Sequence, residues 1–183
     1  LILVASVLLI LMVLRKDTVG VDLSFYKMFF NGAAEMSLRE YLAESRFELG
    51  FNIFSYIIER VIGSFRFFII LISSFYVLAV TMLIKKYSEI PWLSFFLFVS
   101  FGLYTFGFSG LRQTIAISFV VLSFFELEQK RFIYFFLWMT IAYIFHMTSI
   151  IFIVTLLLVN LKLNINNILF LIIPIFLVFF LSN

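Results

Sequence analysis

Arg112 and Gln113 head an apolar segment, Ile115 to Leu127, just after the interruption made by Gly107, Ser109 and Gly110. A guanidinium at the end of a membrane-like segment is costly to bury and usually marks an anion site. Its planar fork can bond two phosphate oxygens, and a helix head adds free amides and the positive end of the dipole. The same position also suits an arginine that reaches out to lipid headgroups. His146, the one histidine of the chain, can take or give a proton or bond a sugar hydroxyl. Tyr143 and Ser149 flank it at i−3 and i+3 on a helical stripe. Hydrogen bonding to a neighbouring helix is the plainer role for such a histidine. Asp22, Glu48 and Tyr26 form the third group. A carboxylate there can act as general base on a sugar hydroxyl, or it can simply cap a helix and face water.

These residues need a scaffold, and composition restricts its kind. Of 183 residues, 64% are hydrophobic and 13% charged. A soluble domain of that size has too little interior for so much apolar surface, so lipid is the expected solvent. The apolar runs are continuous rather than alternating, which favours helices over a barrel. With no cysteine and one histidine, no thiolate or His-cluster metal site is expected. Nucleotide loops and nucleophile elbows are absent from the sequence, which argues against an ATP-driven pump or a nucleotide-sugar enzyme.

The fold expected is all-α: a polytopic helical membrane protein of about six or seven membrane segments, with residues 1–183 as a single membrane domain. The apolar start without Met reads as part of a longer protein. Leu1 to Leu14 is the first run. Residues 15–65 form a long polar stretch, expected as an extracytoplasmic loop of short amphipathic helices. Within it, Asp22 can cap a helix through Phe25, Tyr26, Phe29 and Phe30 that Asn31-Gly32 ends. Ser37-Leu38-Arg39-Glu40 reads as a capping box. A third helix sets Phe51, Phe54, Ile58, Val61 and Ile62 on one face and ends at Gly63. Residues 66–183 supply the helix bundle, with spans at Phe67–Ile84, Trp92–Phe108 and Leu111–Leu127. Phe132 to Val159 reads as one long helix or two short ones meeting near His146. A polar turn, Asn160 to Asn167, and a last run, Ile168 to Leu181, follow.

Lys85-Lys86 and Lys130-Arg131 lie two spans apart, so alternation puts them on one side, the cytoplasm by the positive-inside rule. The loop 15–65 and the Gly110–Arg112 turn then face outwards. His146 stands 15 residues beyond Arg131, roughly 22 Å along a helix, in the outer part of the bilayer.

Four elements resemble the EpsG family of bacterial membrane proteins. Val19-Gly20-Val21-Asp22 with Tyr26 is similar to its Gly-x-Asp-x-x-x-Tyr element, although members often carry Thr where this chain has Val21. Phe47-Glu48-Leu49-Gly50-Phe51-Asn52 resembles its Glu-x-Gly-Phe element. Gly110-Leu111-Arg112-Gln113 with Ile115-Ala116 resembles its Arg-Gln helix start, and Phe145-His146 with Thr148-Ser149 its Phe-His element. They occur in order over residues 19 to 149. Family members are considerably longer.

The resemblance implies a Wzy-like polymerase of the bacterial inner membrane that makes exopolysaccharide, capsule or O-antigen. Its substrate would be an oligosaccharide linked to undecaprenyl pyrophosphate. On that reading Arg112 binds the pyrophosphate, Gln113 and His146 orient phosphate or sugar hydroxyls, and Asp22 or Glu48 draws off the acceptor proton. Tyr26, Asn52, Tyr143 and Ser149 are the further substrate-binding candidates. Partners would be the lipid-linked oligosaccharide, membrane lipid and other polysaccharide assembly proteins, with no nucleic acid. A flippase for lipid-linked sugar and a non-catalytic scaffold of an assembly complex are the alternatives.

Overall fold

The computed structural model describes residues 1–16 and 19–156. Every regular element among them is helical. The polar turn and last apolar run expected beyond Asn160 lie outside the described residues, as does the greater part of a second compact unit that begins at Phe152.

In the unit Leu1–Ile151 the long helices are α1 (Ile2–Val13), α5 (Phe65–Tyr87), α8 (Leu111–Glu128) and α9 (Phe132–Phe145). Helix α8 packs between α5 and α9, and α1 packs on α5. Helix α5 starts where the Ser64 hydroxyl accepts from the Phe67 amide, and it ends with Lys85 and Lys86 against the negative end of its dipole. Its 23 residues rise about 34 Å, enough for a hydrocarbon core of roughly 30 Å. It is the one helix among the described residues that is long and apolar enough to cross a membrane, and it does not by itself establish the six or seven spans expected. Helix α8 has 18 residues but carries Arg112 at its head and Glu126 and Glu128 at its tail.

The expected span Trp92–Phe108 is not one helix. It divides into α6 (Pro91–Ser100) and α7 (Leu103–Phe106) at Phe101-Gly102, where Gly102 takes a φ of +77°. Side chains serve the carbonyls beside the break: Tyr76 donates to Leu103 O, and the Thr105 hydroxyl donates to Gly102 O, which also accepts the Phe106 amide. Tyr104 from the short helix donates to Leu8 O of α1. Broken backbone among apolar helices requires this kind of compensation.

The polar stretch folds as α2 (Leu23–Gly32), α3 (Leu38–Glu44) and α4 (Leu49–Ile62). The Ser37–Glu40 capping box forms, and Gly63 closes α4 with a φ of +65°. Asp22 does occupy the N-cap position of α2, but its side chain makes no capping bond. The buried side of α4 is Phe51, Asn52 and Ser55, with Phe54 and Ile58 beside them; Val61 and Ile62 are exposed rather than part of that face. Leu23, Tyr26 and Phe30 of α2 and Phe51 of α4 share one core with Phe68 and Ile72 of α5 and with Leu111 of α8. The short helices therefore lie over the long ones.

Helix α9 stops at Phe145. His146 is extended (φ −159°) and a 3₁₀ helix, Met147–Ile153, follows. The segment from Phe132 is thus interrupted at His146, and the stripe joining Tyr143, His146 and Ser149 is not continuous helix.

Two glycines allow the closest approaches. A Cβ on Gly20, at φ +127°, would stand 2.2 Å from the Phe108 carbonyl oxygen. That contact lets the Val21 amide donate to the Ser109 hydroxyl at 3.1 Å. A Cβ on Gly50 would meet Ile144 Cγ2 at 2.7 Å and Ile144 O at 3.0 Å, so α4 touches the end of α9 only without a side chain there. Gly50→Ala should cost about 1–3 kcal/mol of stability through overpacking. Thermal unfolding should show Ile144→Ala recovering part of that loss by removing the Cγ2 contact. No loss in Gly50→Ala would mean the two helices are not so close.

Candidate functional site

The turn 107–110 leads into α8, and Arg112 is the second residue of that helix. Its guanidinium does not extend into open space. Arg112 Nη1 donates to Glu48 Oε2 at 2.5 Å and Nε donates to the Tyr26 hydroxyl at 3.2 Å. The Phe47 ring lies beneath it, 4.8 Å from Cζ to centroid, and adds a cation–π contact. Arg112 Nη2 makes no hydrogen bond within the described residues.

Glu48 is the hub. It is the N-cap residue of α4, yet its carboxylate does not cap that helix. It turns to the neighbouring elements instead. His146 Nδ1 stands 2.8 Å from Glu48 Oε1, and the Met147 amide donates to the same oxygen at 3.4 Å. An ionised carboxylate only accepts, so His146 Nδ1 carries a proton and donates it to Glu48. Side-chain exposure is 12% for Glu48, 15% for His146 and 22% for Arg112, so this cluster is mostly out of water.

Local structure aims the hub. Asn52 Nδ2 donates to Phe47 O at 2.9 Å, while its Oδ1 accepts from the Ser45 hydroxyl at 2.6 Å. Ser45 Oγ in turn accepts the Phe47 amide at 3.0 Å. Asn52 thereby pins the turn that presents Phe47 and Glu48, with both ends of its amide occupied. Tyr26 is fixed by tilted ring contacts to Phe47 and Phe51.

The other candidates stand apart. Asp22 is exposed and forms no bond to the cluster, although its charge acts on Tyr26. Gln113 adjoins Arg112 in sequence; its buried Oε1 has no hydrogen-bond partner among the described residues and lies close to Gly110. Tyr143 is exposed. Ser149 is 4% exposed and its hydroxyl has no hydrogen-bond partner among the described residues. Phe47, Ser45 and Ser109 take positioning roles that residue type alone does not signal. The nearest clue was that Phe47 adjoins an acid. No cluster of three or more metal-ligating side chains occurs among the described residues.

Electrostatics follow from this arrangement. Burial pushes the Glu48 carboxyl up, but the Arg112 hydrogen bond, its own backbone amide, the Arg112 charge and the His146 bond outweigh burial. The net effect holds Glu48 below its ordinary value. Burial raises the Tyr26 phenol, only partly offset by Arg112. Tyr26 is therefore a neutral phenol that accepts from Arg112 and keeps its own O–H to donate.

A carboxylate depressed in the folded state adds stability that is complete above the unfolded value, near 4.5, and is lost as pH falls through the folded value. Thermal unfolding should therefore drop as pH falls below 4.5, and Glu48→Gln should be less stable above that pH and flatter below it. Identical pH profiles for the two proteins would contradict the ion-paired hub.

No curated protein and no solved structure matches this chain. The family comparison does give a match, and it covers every element of the site, from Gly20 and Tyr26 to Glu48, Arg112 and His146. The EpsG family model matches residues 1–183, and the chain belongs to that family.

Proposed function

We propose that the protein is a membrane glycosyltransferase that polymerises lipid-linked oligosaccharide units at the outer face of the bacterial cytoplasmic membrane, as a multi-pass protein. The observation that carries this reading is the convergence of Tyr26, Glu48, Arg112 and His146, from four separate stretches of chain, on one half-buried cluster. Membership of a family of polysaccharide-producing membrane proteins supports the same reading.

The donor is a sugar joined through C1 to undecaprenyl pyrophosphate. Arg112 Nη2 and the Tyr26 O–H are the donors available to a pyrophosphate oxygen, and the head of α8 adds its dipole. As the C1–oxygen bond breaks, negative charge grows on the leaving pyrophosphate, and a fixed guanidinium lowers the energy of that charge more than water would. Glu48 keeps Arg112 in place when no substrate is bound. The acceptor is a hydroxyl at the non-reducing end of the next unit, and exopolysaccharide, capsule or O-antigen is the product class.

Orientation has support in the placement of charge. Lys86 pairs with Glu128 at the tail of α8, and Arg131 with Glu126, so the basic turns lie at the opposite end of α8 from Arg112. With the basic turns taken as cytoplasmic, this arrangement supports an outer position for Arg112 and the helices over it.

Arg112→Lys keeps the charge but cannot hold Glu48 and Tyr26 while presenting a further donor. In cells expressing the full-length protein at normal levels, polymer should fall by roughly a hundredfold, and single repeat units should accumulate at the outer face. Unchanged polymer length and yield would remove Arg112 from the reaction. Cysteines at Ser37 and Gln129 should label from opposite sides of the membrane. Labelling from one side would overturn the orientation.

A further inference from the structure

We infer that the acceptor proton is taken by His146 Nε2 and that Glu48 is a positioning residue, not the base. This rests on the polymerase reading above and assigns the proton-transfer step within that site.

Glu48 cannot easily serve as base. Its Oε2 receives Arg112 Nη1, and its Oε1 receives both His146 Nδ1 and the Met147 amide. Three donors occupy the two oxygens, and a carboxylate so satisfied has low affinity for another proton. Asp22 is exposed and bonded to none of these groups, so nothing orients it toward the cluster. The hydrogen bond that disables Glu48 prepares His146. With Nδ1–H committed to the carboxylate, the neutral ring leaves Nε2 without a proton and with a lone pair to accept one. A carboxylate fixing an imidazole tautomer in this way is a general device for making a base of the distal nitrogen. The charged groups around the ring are Glu48, in contact, and Arg112, held on the other oxygen of the same carboxylate.

The step balances as follows. The acceptor hydroxyl oxygen forms a bond to donor C1 as its proton passes to His146 Nε2. The bond from C1 to the pyrophosphate oxygen breaks and its electron pair leaves with the lipid pyrophosphate. The imidazolium, stabilised by Glu48, then releases the proton to water. No oxidant, nucleotide or further reactant enters.

One histidine gives one pair of ring signals, so the inference can be read directly. The full chain, labelled with ¹⁵N-histidine in lipid nanodiscs at mildly alkaline pH, should show Nδ1 protonated and Nε2 bare. Glu48→Gln should move the proton toward Nε2 or mix the tautomers. In cells, His146→Gln should lower polymer yield by about a hundredfold or more. Glu48→Gln should lower it by at least about tenfold, and the double variant should fall well short of the product of the two single losses, because Glu48 acts in part through His146 and in part through Arg112. A protonated Nε2 in the wild type would overturn the assignment, and so would normal polymer from His146→Gln. Losses that multiply in the double variant would overturn it as well. If Arg112→Lys abolishes polymer while His146→Gln does not, only this inference fails. If neither matters, the polymerase reading fails too.

Discussion

The ion pair between Arg112 and Glu48 is the constraint from which the rest of the architecture follows. An arginine at the head of an apolar helix is expensive unless a counter-charge meets it, and a half-buried pair that loses one member leaves an uncompensated charge behind. The partner comes from a residue 64 positions away in the chain. The stretch before α5 must therefore fold back over the head of α8, and α2 and α4 do so by burying Tyr26, Phe30 and Phe51 against α5 and α8. Aromatic packing supplies the apolar driving force, and the ion pair fixes the register. Neither suffices alone, since apolar contact is non-directional and a charge pair needs a rigid frame to hold its geometry.

The frame is tightened where backbone meets backbone. Gly20 seats its turn on Phe108, just before α8, and Gly50 seats the start of α4 on Ile144, just before His146. Each glycine stands within two residues of a candidate site residue, Asp22 in the first case and Glu48 in the second. A side chain at either place would push apart two of the elements that carry the cluster. These glycines thus act on the site through packing, without touching it.

Much of the local structure was legible in the sequence. The Ser37–Glu40 box, the Gly63 stop, the end of α2 near Gly32 and the apolar body of α5 all depend on groups a few residues apart, and capping chemistry and hydrophobic runs report them. The break of Trp92–Phe108 at Gly102 was not legible. Hydropathy counts apolar residues, and the break depends on Gly102 at positive φ and on a distant hydroxyl, that of Tyr76, which serves the Leu103 carbonyl. Asn52 illustrates the same limit within the site. It lies in the motif that holds Glu48, which invited a binding role, but its amide is occupied in shaping the turn. Arg112, Glu48, His146 and Tyr26 stood out by type. Their mutual contact had no local signal, because it joins residues 64 to 98 positions apart.

The break after α9 shows how an irregularity serves the cluster. In an uninterrupted helix the Met147 amide would bond the carbonyl four residues back, that of Tyr143. The last such bond is made by the His146 amide to Ala142 O, and Met147 instead directs its N–H to Glu48 Oε1. The turn away from helical geometry at His146 therefore gives the carboxylate a backbone donor along with the imidazole. A backbone amide cannot be titrated away, so Glu48 keeps one neutral donor whatever the protonation state of the ring. The cost of breaking a helix in an apolar setting is an unsatisfied polar group. Here that group is satisfied by the same oxygen that holds the histidine, so the interruption and the hub stabilise one another.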